Sequence, residues 1–489
     1  MLLDSQKILR SVKRGKYVLA LMLLGLVLRL ITINSRSIWF DEAASLFIAK
    51  LPFFQIFPGL ASMDFLPPLY YLLLHVWMLV SDSQIFLELF SVLFSLLSII
   101  AIYKLGSLLY NRRVGHIAAF LMAVACLQIR YSQEIRMYTL AVFLTILSSY
   151  YFMKTIKEEQ KSILSIDWVL YVLTSAAALY THYYAIFVLF AQAIFFIFCY
   201  KHWSLTKKWM LSQAVIATAF LPWIPALWLQ VQHMQEDYWI TQPTLLRIFD
   251  VVVFMMDNIW NFFVLGILIL GGIVSFYKIR QKKIIIRKEK ANYFLLITIL
   301  APLLVSLLIS LATQSVFYER YFILFTPAVY LLAAKGFSHI TNKIIAGIFA
   351  VAYIVANLFC LVPYYASANT DIADAAEFVE KEVQEGDIVV HVDPFALLSF
   401  TLYHDGRIKN LILSNKKLPI YLGGNYYDES TYIKNIGELE QYKRIWFVDR
   451  GAALNEKVVL AMHGRGTLVQ EENIGEVKMV VYAMEGAVS

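Results

Sequence analysis

Two adjacent carboxylates, Asp41 and Glu42, follow the phrase Ser37-Ile38-Trp39-Phe40 directly after the first long apolar run. A second charged phrase, Arg130-Tyr131-Ser132-Gln133-Glu134-Ile135-Arg136-Met137-Tyr138, joins two apolar runs, and Glu319-Arg320-Tyr321 opens another. Tyr180-Thr181-His182-Tyr183-Tyr184 is an aromatic stretch with one histidine, and Asp64 lies just before the paired prolines Pro67 and Pro68. Carboxylates can take a proton from an attacking hydroxyl, and the planar fork of arginine matches the oxygens of a phosphate. Together these residue types could remove a proton and hold an anion. Each also has a plain structural reading. Two acids suit the start of a short interfacial helix, and Arg130 with Glu134 has the spacing of a surface ion pair. His182 suits an aromatic belt, and Arg320 a snorkelling anchor.

The setting makes these charges informative. Of 489 residues, 60% are hydrophobic and 16% charged. An ordinary soluble domain is about 45–50% apolar and about 25% charged, so much of this chain is solvated by lipid. A charge at mid-membrane costs about 2.5–3.5 kcal/mol on insertion scales, and such residues are usually paired or functional. Glu88 is the main candidate inside a run, near the start of its helix.

The net charge of +7 comes from basic clusters between apolar runs, not from basic stretches interleaved with stacking aromatics. It therefore encodes membrane orientation, and nucleic acid is not a partner. Lys7, Arg10, Lys13, Arg14 and Lys16 precede the run from Tyr17 to Ile33, which has no small-residue cleavage site after it. An uncleaved first helix with a cytoplasmic N-terminus is predicted. Further runs occur near 85–109, 114–130, 137–153, 167–181, 183–200, 209–229, 259–277, 291–312, 321–335 and 343–362. Alternate loops carry Lys104, Arg112 and Arg113; Lys154, Lys157 and Lys161; Lys201, Lys207 and Lys208; Lys278, Arg280, Lys282, Lys283, Arg287, Lys288 and Lys290; and Lys335 with Lys343. The alternation holds if Pro67–Val80 does not cross. The expected fold is a polytopic α-helical membrane protein with about eleven spanning helices, and up to thirteen if further segments cross. Cys126, Cys199 and Cys360 all lie in apolar segments, and an odd count without metal spacing predicts inert thiols.

Residues 1–362 form the expected membrane domain, with a first outer loop at 34–67, and 363–489 a small α/β domain outside the membrane. In the latter, Thr370–Val383 reads as an amphipathic helix, followed by strands at Ile388–Val392, Arg444–Val448 and Lys478–Ala483. This topology puts Asp41, Glu42, Asp64, Arg130, Glu134, Arg136, His182, Glu319 and Arg320 on one side, a convergence not used to choose it. There is no phosphate-cradling Gly-x-x-x-x-Gly-Lys-Ser/Thr phrase and no separate Asp-x-Asp pattern for a nucleotide sugar. No cofactor is required. A divalent metal could sit at Asp41 and Glu42, though two adjacent carboxylates are a thin ligand set.

The phrases Trp39-Phe40-Asp41-Glu42, Pro67-Pro68-Leu69-Tyr70-Tyr71, Tyr131 to Tyr138, and Glu319-Arg320-Tyr321 with Pro327, in that order, resemble the polytopic GT-C glycosyltransferases. More narrowly they resemble the protein O-mannosyltransferase and aminoarabinose-transferase group (glycosyltransferase family 39 and its bacterial relatives). The resemblance runs from about residue 36 to residue 340. It implies a GT-C-like fold and transfer of a sugar from a polyprenyl-phosphate carrier, with inversion, to a lipid, glycan or protein acceptor at the outer face of a bacterial-type cytoplasmic membrane. The residue matching the group's general base is Asp41, flanked by Glu42, and the matching second-loop acid is Glu134. Arg320 first and Arg136 second are the expected phosphate ligands, with His182 a weaker one. The matching phrases add Tyr131, Tyr138, Pro67 and Pro68 to the substrate-binding set. The aminoarabinose transferases have a lysine before the paired prolines, where this chain has Leu66, so the resemblance does not extend to that sugar. The rival class is a lipid or small-molecule transporter, which would place ionisable residues in discontinuous helices at mid-membrane.

Overall fold

The computed structural model describes residues 2–157, 162–200, 203–236, 239–280, 286–367, 369–404, 406, 408–450, 458, 462 and 464–484, without the side chains of 2–14, 204, 235–236, 274–280, 286–289 and 421. Lys161, Lys201, Lys282 and Lys283 of the predicted basic loops lie outside the described residues. So do the side chains of Lys7, Arg10, Lys13, Arg14, Lys278, Arg280, Arg287 and Lys288.

In chain order the helices are α1 (Leu2–Leu30), α2 (Phe40–Lys50), α3 (Ile56–Met63), α4 (Leu69–Met78), α5 (Gln84–Leu109), α6 (Arg112–Val124), α7 (Cys126–Ser132), α8 (Tyr138–Lys157), α9 (Ile166–Leu179) and α10 (Ala185–Cys199). They continue with α11 (Trp203–Phe220), α12 (Ile224–Glu236), α13 (Leu245–Met255), α14 (Ile259–Arg280), α15 (Ile286–Ala312), α16 (Thr326–Phe337) and α17 (Lys343–Ala366). The chain divides into two compact units. One comprises Met1–Ile33, Leu66–Pro225 and Ile240–Ala366; the other comprises Asn34–Phe65, Ala226–Trp239 and Ser367–Ser489. The loop at 34–67, expected within the membrane domain, thus packs almost entirely with the C-terminal residues.

The first unit is a helical membrane bundle. Among the described residues, five helices are long and apolar enough to cross a bilayer, or seven if each of two bent pairs counts as one span. Several runs predicted as full spans are shorter. Helix α9 has 14 residues and α10 has 15, so each rises only about 21–23 Å against a hydrocarbon core of about 30 Å. The 321–335 run begins as a 3₁₀ turn over Glu319–Phe325 and yields only the 12-residue α16. Helix α4 has ten residues, too few to cross. The 114–130 run is broken at Ala125, where α6 and α7 meet at 57°. Helix α13, which was not anticipated, meets α14 at 73°. Helices α14 and α16 approach through glycine: a Cβ on Gly336 would fall 1.8 Å from the Leu268 carbonyl oxygen.

Breaking a helix in an apolar interior exposes backbone groups that lipid cannot solvate. At Ala125 both sides of the break are served by side chains. The fully buried Arg29 donates to the carbonyls of Ala123 (2.9 Å) and Met122 (3.4 Å), to Gly25 (3.0 Å), and through Nε to Ser95 Oγ (2.8 Å). On the other side the Cys126 N–H donates to Asn357 Oδ1 at 2.8 Å, and the Leu127 N–H donates to Asp257. Asp257 sits at the α13–α14 bend with φ of 76° and accepts from the Tyr330 hydroxyl at 2.8 Å. The Tyr353 hydroxyl lies between the Leu121 carbonyl (2.9 Å) and Asp257 Oδ2 (3.3 Å). One acid therefore ties both breaks together.

A disulfide links Cys126 to Cys360, correcting the expectation of three inert thiols; Cys199 is free. The two cysteines are 234 positions apart. The start of α7 and the last turns of α17 bring them together, a proximity that linear spacing cannot reveal. Glu88, the charge expected inside a run, is buried and accepts from Gln84 Nε2 at 2.8 Å.

The second unit is built on a six-stranded sheet of order β3-β2-β1-β4-β6-β5. The strands are β1 (Asp387–His391), β2 (Asn410–Leu413), β3 (Tyr432–Ile433), β4 (Arg444–Arg450), β5 (Gly466–Ile474) and β6 (Val477–Met484). The first four run parallel, and β6 joins β4 and β5 antiparallel. The predicted amphipathic helix is α18 (Asp371–Glu382), whose Ile372, Ala375, Ala376 and Val379 pack on one face of the sheet with Trp446 and Val448. Helix α19 (Pro394–Phe400) starts with proline at its first position and is capped by Asp393, which accepts the Phe395 N–H at 3.0 Å. The three strands anticipated are β1, β4 and β6, while β2, β3 and β5 were not.

Replacing Arg29 with Met is expected to orphan the buried carbonyls of Met122 and Ala123, costing roughly 1–3 kcal/mol for each. Thermal unfolding of the solubilised protein reads this directly, and an unchanged midpoint would contradict the capping role.

Candidate active site

Helix α7 and the turn after it carry the second charged phrase. The turn is held from α5, where the Ser91 hydroxyl donates to the Glu134 carbonyl at 2.6 Å. At the other end of α7, Gln128 Nε2 donates to Thr326 Oγ1 at 3.0 Å, tying it to the start of α16 just beyond Arg320. In this framework Tyr131 meets Tyr138 edge-on with ring centroids 4.9 Å apart, Tyr138 lies 6.0 Å from His182, and His182 meets Tyr321 at 5.0 Å. Arg320 stacks over Tyr318, its guanidinium carbon 5.8 Å from the ring centre. Burial works to depress the Arg320 pKa, but Tyr138, Tyr131, Tyr318 and Glu134 outweigh it and hold the guanidinium firmly charged. Arg136 is buried, 6% exposed, and close enough to His182 to act on its charge. Within the first unit the structure therefore gathers Tyr131, Glu134, Arg136, Tyr138, His182 and Arg320, residues drawn from three separate stretches of sequence.

His182 is the most constrained of these. It lies between α9 and α10, only 2% exposed, and its Nδ1 accepts the Tyr184 N–H at 3.1 Å. That bond assigns the ring proton to Nε2. Nε2 is buried and has no hydrogen-bond partner among the described residues. Burial, and then the positive charge of Arg136, lower the pKa to about 3, so the ring is neutral at physiological pH. The site thus contains a neutral, buried N–H donor. Pro67 and Pro68, both buried, lead into α4, and the Leu69 N–H after them donates to the Tyr180 carbonyl at 2.9 Å. This bond couples the proline pair to the aromatic stretch that carries His182. Of the other charged residues, Glu319 lies 4.0 Å from Arg247 in an ion pair, and Arg130 stacks over Tyr364.

Asp41 and Glu42 belong to the second unit, in the first turn of α2. Glu42 is 6% exposed and accepts the Trp39 N–H at 3.1 Å, closing the start of its own helix. Asp41, less buried, takes no part in that cap. The loop around it is stitched to the C-terminal residues. The Ser37 N–H donates to the Asn369 carbonyl (2.7 Å), the Ile38 N–H to the Tyr403 hydroxyl (2.6 Å), and Asn425 to the Ser62 carbonyl (2.5 Å). Phe40 packs edge-on against Phe395 at 5.1 Å and lies over Gly423, whose φ of 85° and lack of a side chain let the chain pass the ring. The C-terminal domain thus positions the helix that carries Asp41. Among the described residues, no group of three or more His, Cys, Asp or Glu side chains stands where it could hold a metal, and Glu42 is already engaged as a cap.

Arg29 and Asp257 were not singled out in the sequence. Each is an isolated charge within or between apolar runs, a signal that the cost of charge in lipid makes readable.

Comparison with known proteins agrees with the resemblance found in the sequence. The family described as dolichyl-phosphate-mannose-protein mannosyltransferase matches residues 66–228. The fold is that of the GT-C glycosyltransferases. ArnT from Cupriavidus metallidurans bound to undecaprenyl phosphate superposes with a TM-score of 0.66 at 11% identity, covering 95% of this chain and 98% of that one. Its apo form gives 0.63 at 11% identity, covering 96% and 98%. The archaeal oligosaccharyltransferase AglB from Archaeoglobus fulgidus, in complex with an inhibitory peptide and a dolichol-phosphate, gives 0.59 at 12% identity, covering 97% and 74%. No curated protein matches the sequence.

The depressed His182 pKa has a measurable consequence. In the unfolded chain the ring gains a proton below about pH 6.5, whereas in the folded protein it stays neutral to about pH 3. The unfolded state binds more protons across that window, so stability falls with acidification. Between about pH 6.5 and 5 the expected loss is up to about 2 kcal/mol. His182→Gln should flatten this part of the unfolding profile. A slope identical to that of the wild type would contradict the buried neutral ring.

Proposed function

We propose that this protein is a membrane glycosyltransferase that moves a sugar from a polyprenyl-phosphate carrier to an acceptor hydroxyl or phosphate, with inversion, at the extracytoplasmic face. The observation that carries the reading is the gathering of Arg320, Arg136 and the neutral N–H donor of His182 among Tyr131, Glu134 and Tyr138. Cations and a buried donor without a carboxylate surplus suit an anionic phosphate leaving group. Support comes also from the match to a mannosyltransferase family over 66–228 and from the fold shared with an undecaprenyl-phosphate-bound ArnT. The Cys126–Cys360 disulfide fits an end of the bundle that faces an oxidising compartment.

In this mechanism Asp41 takes the proton of the acceptor as its oxygen attacks C1 of the sugar. The new C1–O bond forms on the face opposite the departing oxygen, and the C1–O bond to phosphate breaks. The polyprenyl phosphate that leaves carries away the electron pair, and Arg320 and Arg136 stabilise the charge growing on it. His182 donates to a phosphate or sugar oxygen. Glu134 holds the arginine in place, and Glu42 serves Asp41 by fixing the helix it stands on. Tyr131, Tyr138 and the Pro67–Pro68 turn shape the walls.

A transporter is the second reading, and the two broken helix pairs favour it. Against it, the backbone groups freed at the Ala125 break are taken up by Arg29, Asn357 and Asp257, so the break is closed by protein.

Asp41→Asn is expected to lower sugar transfer by about 10²–10⁴-fold, the usual contribution of a general base, while the protein remains folded and inserted. Full activity would remove Asp41 from the role of base. Arg320→Ala is expected to raise the apparent KM for the lipid-linked donor at least tenfold. An unchanged donor KM would overturn its phosphate role.

A further inference from the structure

The second unit has a cleft that the proposed chemistry does not use. It is small, about 210 Å³, and open to solvent. It is lined by Arg36, Ser37, Ile38 and Trp39 of the loop before α2, by Asn369 and Ile372 at the start of α18, and by Arg450 at the end of β4. Its position in the fold is informative. In the order β3-β2-β1-β4, the chain leaves β1 toward β2 and β3 on one side and returns to β4 on the other. In open α/β sheets, ligands bind outside the carboxyl ends of the two strands at such a switch point. Arg450 is the last residue of β4, and α18, which immediately precedes β1, begins beside the cleft.

The lining has a definite chemistry. Arg36 and Arg450 present guanidinium forks that suit the paired oxygens of a phosphate or carboxylate. Trp39 offers a flat apolar ring with one donor, and Asn369 and Ser37 add short polar groups. Arg450 Nε stands 3.8 Å from Glu476, a long and exposed pair that a stronger ligand can displace. The Ser37 hydroxyl accepts the Ala373 N–H at 3.1 Å, which fixes one wall to α18. Trp39 is also the residue whose carbonyl and N–H close the start of α2, two positions before Asp41.

We infer that this cleft is a binding subsite for an anionic saccharide unit, a sugar phosphate or a uronate, with Arg36 and Arg450 on the anion and Trp39 against the ring. Naming it the acceptor's subsite rests on the proposed glycosyltransferase function: a saccharide held here belongs to the molecule whose hydroxyl Asp41 activates. Binding itself does not depend on that function.

The test uses the full-length protein in lipid nanodiscs with glucose 1-phosphate, glucuronate and glucose as probes, read by saturation-transfer NMR. One or both charged sugars should bind at least tenfold more tightly than glucose, and which of the two does so identifies the anion. The Arg36→Gln/Arg450→Gln variant, with an unchanged unfolding midpoint, should weaken charged-sugar binding at least tenfold. Equal binding of charged and neutral sugars by the wild type overturns the subsite without recourse to any variant. Undiminished binding in the folded double variant overturns it as well. Where transfer activity is measured, the double variant should raise the acceptor KM and leave the donor KM unchanged; an unchanged acceptor KM would overturn the acceptor assignment. Charged-sugar binding in a protein that transfers no sugar would leave the subsite standing and defeat the enzymatic reading alone.

Discussion

Backbone polar groups freed inside an apolar bundle must be satisfied by protein, and this constraint organises the first unit. The chain breaks at Ala125 so that α7 can turn away from α6. Arg29 takes the carbonyls on one side of the break, while Asn357 and Asp257 take the N–H groups on the other. In lipid each unsatisfied group costs several kcal/mol, so a break without such partners would not persist. Because α7 carries Tyr131 and leads straight into Glu134 and Arg136, the direction of that short helix decides where the charged phrase stands. Asp257, held by Tyr330 and Tyr353, extends the same network to the α13–α14 bend. The Cys126–Cys360 disulfide adds a covalent tie at the same place.

The second unit solves a different problem. The loop at 34–65 and the short helix α2 bury little by themselves, and they gain definition from the sheet domain through backbone bonds at Ser37 and Ile38 and ring packing at Phe40. Glu42 completes the start of α2 from within. The adjacent carboxylates therefore have different environments: Glu42 is a buried cap, and Asp41 is the less buried of the two. Two acids that look equivalent in sequence are separated by a single turn's hydrogen bonding.

Much of this was legible in the sequence, for physical reasons. Lipid makes charge expensive, so Glu134, Arg136, His182 and Arg320 stood out, and the structure gathers them around Tyr131 and Tyr138. The strands β1, β4 and β6 were read because each is a compact apolar run. Strand β5 is largely exposed, and β2 and β3 have four and two residues, too short to show a period. The broken helices escaped notice because hydropathy is blind to direction: Ala125 continues an apolar run while its backbone is extended. The disulfide and the packing of the 34–65 loop with the C-terminal domain depend on contacts more than two hundred positions apart, which no local pattern encodes.

The central claim is that the gathered cations serve transfer of a sugar from a lipid phosphate. It is tested most directly by incubating the purified protein with a panel of polyprenyl-phosphate sugars and membrane acceptors, followed by mass spectrometry of both. The account predicts an acceptor heavier by one glycosyl residue together with free polyprenyl phosphate. Intact donor moved across a sealed bilayer, with no glycosylated product and no free polyprenyl phosphate, would contradict it and establish a transporter instead.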